Sequence, residues 1–131
     1  MNWELAQELI NIHLIQGLHF DPVLVNRIII ETPINYHCTH YNYHGENGFK
    51  VKIGFDTYIE IPWSMLENVF TRAINLNNSI YNRAVIRDLY LQQINNHGCH
   101  VHVVGQIFVK AGIAVRINAR NYKILENPIV Q

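Results

Sequence analysis

Charged side chains are scarce in this chain: Asp, Glu, Lys and Arg together make up 15% of 131 residues, where an average globular protein has roughly 25%. Asparagine fills much of the polar quota instead, at Asn75, Asn77, Asn78, Asn95 and Asn96. A surface this poor in charge suits burial against a second copy of the chain, because interface centres are depleted in charge, so the expected partner is the protein itself, as a homo-oligomer. Cysteine is nearly absent. With only Cys38 and Cys99 there is no disulfide framework, and both are expected as free thiols in a reducing compartment. Long apolar runs are missing too, since none approaches the roughly 18 to 20 residues that span a bilayer. Glu4 and Glu8 stand where a targeting segment would carry basic residues; a cytoplasmic protein with no membrane partner is expected.

The signatures of common reaction centres are also missing: there is no GxxxxGKS or GxxxxGKT loop, no GxSxG elbow, no HExxH pair and no glycine-rich dinucleotide turn. No catalytic residue and no cofactor is therefore assigned. The length fits one domain over residues 1–131, and the first functional expectation is a non-catalytic binding or interaction module.

What the chain does have is sorted charge. Met1 to Trp63 holds seven acidic residues against three basic, and Ser64 to Gln131 holds seven basic against three acidic. Such asymmetry marks either a polyanion-binding face or two surfaces that complement each other between copies.

Hydrophobic spacing predicts a helix from about Trp3 to Gln16, with Leu5, Leu9 and Ile12 on its apolar stripe and Gly17 as its stop. Asp21-Pro22 predicts a short helix that Pro33 ends. The period then shortens toward two. A strand is expected over Tyr36 to Tyr43, a turn at Gly45 to Gly48 containing Asn-Gly, a strand with Phe49, Val51 and Ile53 alternating against Lys50 and Lys52, a turn at Gly54 to Thr57, and a strand over Tyr58 to Ile61. Ser64 and Glu67 read as a capping box for a helix with Leu66, Val69, Phe70, Ala73 and Ile74 on one face. Ser79 reads as the cap of a second helix, which Ala84, Val85, Leu89, Tyr90 and Ile94 carry to the Asn96-His97-Gly98 stop. Cys99 to Ala111 fits helix stop signals better than a hairpin around Gly105-Gln106. Ile113, Val115 and Ile117, a turn at Ala119 to Asn121, and Tyr122 to Leu125 close the chain as a hairpin. The expected fold class is α+β: an antiparallel three-stranded meander followed by two or three helices and a C-terminal β-hairpin, packed in layers as one domain.

Three constellations bear on chemistry. The order helix, helix, helix, hairpin is that of a winged helix-turn-helix, in which Cys99 to Ala111 enters a groove with His100, Gln106 and Lys110 outward while Arg116, Arg120 and Lys123 lie along phosphates. Nucleic acid is thus the alternative partner; the competing explanation is an ordinary charged hairpin edge. Six of eight histidines flank the cysteines: His37, His40 and His44 beside Cys38, and His97, His100 and His102 beside Cys99. One residue between ligands departs from the two to four usual in structural zinc sites, so no metal site is expected. A Cys/His enzyme oriented by Asp56 or Glu60 is a further alternative. If a pocket exists, the aromatic and histidine-rich stretch holding Tyr36, His37, His40, Tyr41 and His44 is expected to line it, around a small molecule whose identity the sequence leaves open.

Overall fold

Asn2 opens the first helix, α1 (Trp3–His13), its side-chain oxygen accepting the Leu5 amide at 2.9 Å. The structure, a computed structural model, describes residues 1–20 and 29–129. The helix ends earlier than its spacing predicts, and its buried face is Ala6 and Ile10. Leu5 and Ile12, expected in the core, are exposed, and Leu9 is half-buried. Trp3 decides the rotation: it is the largest apolar side chain of the helix, and its indole packs on Trp63 and Phe70 with centroids at 6.1 and 5.5 Å.

The meander is present, as an antiparallel sheet in the order β1 (Ile29–Cys38), β2 (Glu46–Lys52), β3 (Tyr58–Pro62). Its first strand both starts and ends before the predicted span. Pro33 lies inside β1 rather than ending a helix; it has no amide to give to a ladder, and the pairing with β2 shifts register on both sides of Thr32. The short helix expected from Asp21 falls largely outside the described residues. Asn47-Gly48 is not the hairpin turn. Gly48 sits in the middle strand, paired with Tyr36 and Pro62, where a Cβ would collide with the Ile61 carbonyl, lie 2.6 Å from Pro62 Cα and meet Cys38 Sγ at 2.8 Å. The real connection is Thr39 to Gly45, which turns on positive φ at Tyr41, His44 and Gly45. The turn at Gly54 to Thr57 forms as predicted, with the Ile53 amide on the Thr57 carbonyl at 2.9 Å.

The helix α2 (Trp63–Leu76) buries Met65, Leu66, Val69, Phe70 and Ala73 against the apolar face of the meander. Its predicted capping box does not form. Glu67 is exposed, and the start of the helix is held instead by Glu46 of β2, whose carboxylate accepts the Ser64 amide at 2.6 Å and the Ser64 hydroxyl at 2.8 Å. A full negative charge at the positive end of the helix does the capping from a neighbouring strand.

Next come β4 (Ile80–Tyr81), α3 (Arg83–Leu89), α4 (Leu91–Asn96), α5 (His100–Lys110), β5 (Ala114–Arg116) and β6 (Tyr122–Ile124). The strand β4 was not predicted. It joins the C-terminal hairpin in a second sheet of order β4-β6-β5. Asn82, not Ser79, caps α3, accepting the Val85 amide at 3.2 Å; Ser79 takes a left-handed conformation ahead of β4. The single helix expected over Ala84 to Ile94 is two, broken at Tyr90, which buries Val85, Ile86 and Ile94 while leaving Ala84 and Leu89 exposed. The segment after Cys99 is a helix, as its stop signals indicated, and it runs through the core: eight of its eleven residues are buried.

Aromatic rings tie the two sheets together. Phe49 packs on Trp63, Trp63 on Trp3, Trp3 on Phe70, Phe70 on Phe108, Phe108 on Tyr81 and Tyr81 on Tyr122, each pair with centroids between 5.5 and 6.1 Å. One continuous core thus spans meander, helices and hairpin, and the acidic and basic halves of the sequence are parts of a single α+β unit.

Candidate functional site

Two clefts flank the first turn of α5, one on each side. The first, of about 290 Å³, lies between the Thr39–Gly45 connection, β3 and the junction of α4 with α5. At its floor is Glu60, a carboxylate only 3% exposed. It stands opposite Lys50 on the sheet face turned away from α2, and the connection from β1 to β2 folds over it. Glu60 Oε1 accepts the amides of Thr39 and His40 at 2.9 and 2.7 Å, with His40 Nδ1 at 3.4 Å. Its Oε2 has no hydrogen-bond partner among the described residues. The Tyr36 hydroxyl is turned toward this carboxylate, and burial first, then Glu60, raises its pKa, although its approach does not meet hydrogen-bond geometry at Oε2. Tyr41 and Tyr43 anchor the overlying loop to α4 by accepting from Asn96 and Gln93 at 3.1 and 3.2 Å.

His100 forms part of the same wall. Its Nδ1 is 2.7 Å from the His97 carbonyl; a carbonyl only accepts, so the proton is on Nδ1 and Nε2 is a bare acceptor. Burial pushes the His100 pKa down to about 4, which keeps the ring neutral near pH 7.

The five residues expected to line a pocket therefore divide. His40 and Tyr41 line the cleft. Tyr36 lies beside it, under the Lys50 ammonium at 5.6 Å from the ring centroid. His37 closes the loop through Gly45 O at 3.2 Å, and His44 is exposed at a left-handed position; neither lines the cleft. His97 and His100, far away in sequence, complete it, so the two histidine clusters do meet. Their cysteines do not share the meeting point. Among the described residues no three His, Cys, Asp or Glu side chains are arranged to hold a metal ion. Cys38 is fully buried, and burial, then Glu60 and Glu46, pushes its thiol up to about 12. Burial raises the Cys99 thiol as well. Both shifts are away from the thiolate, the reactive form of cysteine.

The second cleft is larger and more open, about 660 Å³, between α3, the start of α5 and the hairpin turn. Arg83, Arg87 and Arg120 line it together with His102, and no carboxylate does. Its geometry is fixed from below. Asn118 Oδ1 accepts the amides of Arg120 and Asn121 at 2.9 and 3.0 Å, and Asn121 in turn accepts from the α3 cap Asn82 at 3.0 Å, which holds the turn against the helix. Arg116 stands close enough to His102 for its charge, after burial, to lower the pKa of that ring.

Of the residues considered for nucleic acid, Arg120 lines this cleft and Arg116 adjoins it. The others are elsewhere. Gln106, expected to face outward, is fully buried; Lys110 is half-buried at the far end of α5, and Lys123 donates to the Asn78 carbonyl at 2.9 Å. His100 is turned into the first cleft. A helix covered on nearly every side has no face to lay in a groove. Arg83 and Arg87 were missed because they lie on an exposed helical face, where isolated arginines carry no signal until the turn folds back on them.

Comparison with known proteins returns no significant match to a family model, a curated protein or a solved structure.

Proposed function

We propose that the protein binds nucleic acid through the arginine-lined cleft, gripping phosphates without inserting a helix into a groove. The observation that carries this reading is the convergence of Arg83, Arg87 and Arg120 around one open cleft whose lining contains no carboxylate, with Arg116 beside it. Guanidinium groups match phosphate oxygens in pairs. Support also comes from element order. A helix, a short strand, helices and a hairpin whose second strand is central to the sheet follow the winged helix-turn-helix plan; since a fold does not determine a function, the arginines carry the argument. The test is titration with duplex DNA across a salt series. Binding is expected in the micromolar range at low salt, with affinity falling steeply as salt rises, and R83A/R87A/R120A should flatten the log-log slope by about 2 to 3, since each phosphate contact contributes about 0.9. No binding at micromolar protein and low salt, or an unchanged slope in the variant, refutes the reading.

A second reading, a non-catalytic module that holds a small molecule, is supported by Glu60 at the floor of the first cleft. Self-association is part of both readings. Its support is the scarcity of charge together with Leu5, Ile12 and Ile15, which leave an apolar stripe exposed along α1 and the residues just after it.

A further inference from the structure

We propose that the cleft over Glu60 is a site for a small organic cation bearing N–H donors, a guanidinium or a primary ammonium group. This rests on the second reading above and names its ligand. Burying a carboxylate is costly unless its lone pairs are met. Here Oε1 is met twice by backbone amides, and Oε2, in a side chain 3% exposed, is met by nothing among the described residues. The protein's own candidates stop short. The Tyr36 hydroxyl faces the carboxylate without meeting hydrogen-bond geometry at Oε2, and the Lys50 ammonium is drawn to the tyrosine faces, 4.5 Å from the Tyr58 centroid and 5.6 Å from that of Tyr36.

The rest of the cleft selects the donor. His100 presents Nε2 as a second acceptor, because its Nδ1 proton is committed to the His97 carbonyl. Two acceptors, one of them negative, require a group with at least two N–H donors and favour one with positive charge. An anion would face Glu60 with no lining arginine or lysine to balance it, and His40 and His97 lie at the rim. Tyr41 adds an aromatic wall of the kind that attracts alkylammonium and guanidinium groups. A volume of about 290 Å³ takes a group the size of an arginine or lysine head, not a nucleotide. A metal ion is the weaker match, since the donors are not arranged for one.

Agmatine is a suitable probe, because it carries a guanidinium at one end and an amine at the other; methylguanidine and methylammonium separate the two. The measurement is the side-chain NMR resonances of His40, His97, His100 and Tyr41 as each probe is added, with calorimetry for affinity. Agmatine is expected to shift these resonances and saturate below about 10 mM. Glu60→Gln keeps the shape and removes the charge, and should weaken binding by about tenfold or more, as expected for a lost hydrogen bond to a charged acceptor. The proposal is overturned if none of the three cations shifts these residues, if Glu60→Gln binds agmatine as well as the wild type, or if zinc binds the same residues while agmatine does not. Acetate acting where the cations fail would overturn the cation and leave the small-molecule reading standing.

Discussion

Gly105 is the position at which one added carbon should do most damage. It lies in the middle of α5, and the ring of Tyr122 rests flat on it: a Cβ there would be 2.5 Å from Cε1 and Cζ and 2.8 Å from Cε2. Two effects oppose each other in Gly105→Ala. Alanine raises helix propensity by about 1 kcal/mol over glycine. Carbon atoms, however, pack at about 3.5 to 4.0 Å, so the ring would have to retreat by about 1 Å. It has nowhere to go. Tyr122 is fully buried, packed at a tilt on Tyr81 with centroids 5.8 Å apart, and its hydroxyl is 2.8 Å from His102 Nδ1. Overpacking of this kind costs about 1 to 3 kcal/mol, sometimes more, and because three atoms of a rigid ring are struck at once, the upper part of that range applies. The net loss should be about 1 to 2 kcal/mol. With an unfolding entropy of about 2.1 cal/mol/K per residue, that corresponds to a fall in Tm of about 4 to 7 °C. Thermal melts followed by circular dichroism, with urea titrations beside them, measure it. Gly98→Ala is the control, since a Cβ there meets nothing closer than 3.6 Å and should change stability by less than about 0.5 kcal/mol. A Tm for Gly105→Ala equal to or above that of the wild type refutes the reasoning.

Glu46→Ala should cost about 1 to 2 kcal/mol, as loss of a charged helix cap does, whereas Glu67→Ala should cost under about 0.5, and reversal of that order in urea titrations would restore the capping box. His100 is neutral in the fold, with its pKa lowered from 6.5 to about 4 by burial, so the unfolded chain takes up its proton first. Stability should fall as pH drops below 6.5, by about 2 kcal/mol near pH 5, and His100→Gln should flatten that slope; an equal slope in the variant refutes it. In the native protein Cys38 should not react with a thiol reagent at pH 8 until the chain unfolds, and modification of both cysteines at a free-thiol rate would contradict the buried position. Light scattering at micromolar concentration should give a mass above the 15.3 kDa of one chain at low salt and at about 0.5 M, because apolar burial is not screened; a monomer under both conditions refutes self-association.

Element types were largely legible in the sequence, because periodicity reports which residues avoid water. Positions set by contacts distant in sequence were not. Asn47-Gly48 carries a strong turn signal, but the same glycine was needed where the Pro62 backbone and the Cys38 sulfur press on the middle strand, and the turn moved to residues that tolerate positive φ. The stripe on α1 was misread because leucine spacing says nothing about Trp3 meeting Trp63 and Phe70. The capping box lost to Glu46, a carboxylate no local pattern could place. Sites fared similarly. His40 and Tyr41 were readable as pocket residues from composition alone, and His97 and His100 only as a second cluster whose meeting with the first depends on where α4 turns into α5. Glu60 was named for a possible orienting role; its burial follows from a loop folding over the far face of the sheet.

The carboxylate that starts α2 belongs to a residue 18 positions upstream, and this bears on where the chain can be divided. The charge boundary near Ser64 invites cutting the chain there into an acidic and a basic module. Yet the helix that begins the basic half is held at its first turn by Glu46 and buttressed by Trp3 and Phe49 through Trp63. The helix gains this cap only where the loop back to the meander has closed. A fragment from residue 63 onward would keep the sequence of the winged plan and lose that cap and buttress, so a library that shuffles the halves at that boundary should yield no folded recombinants.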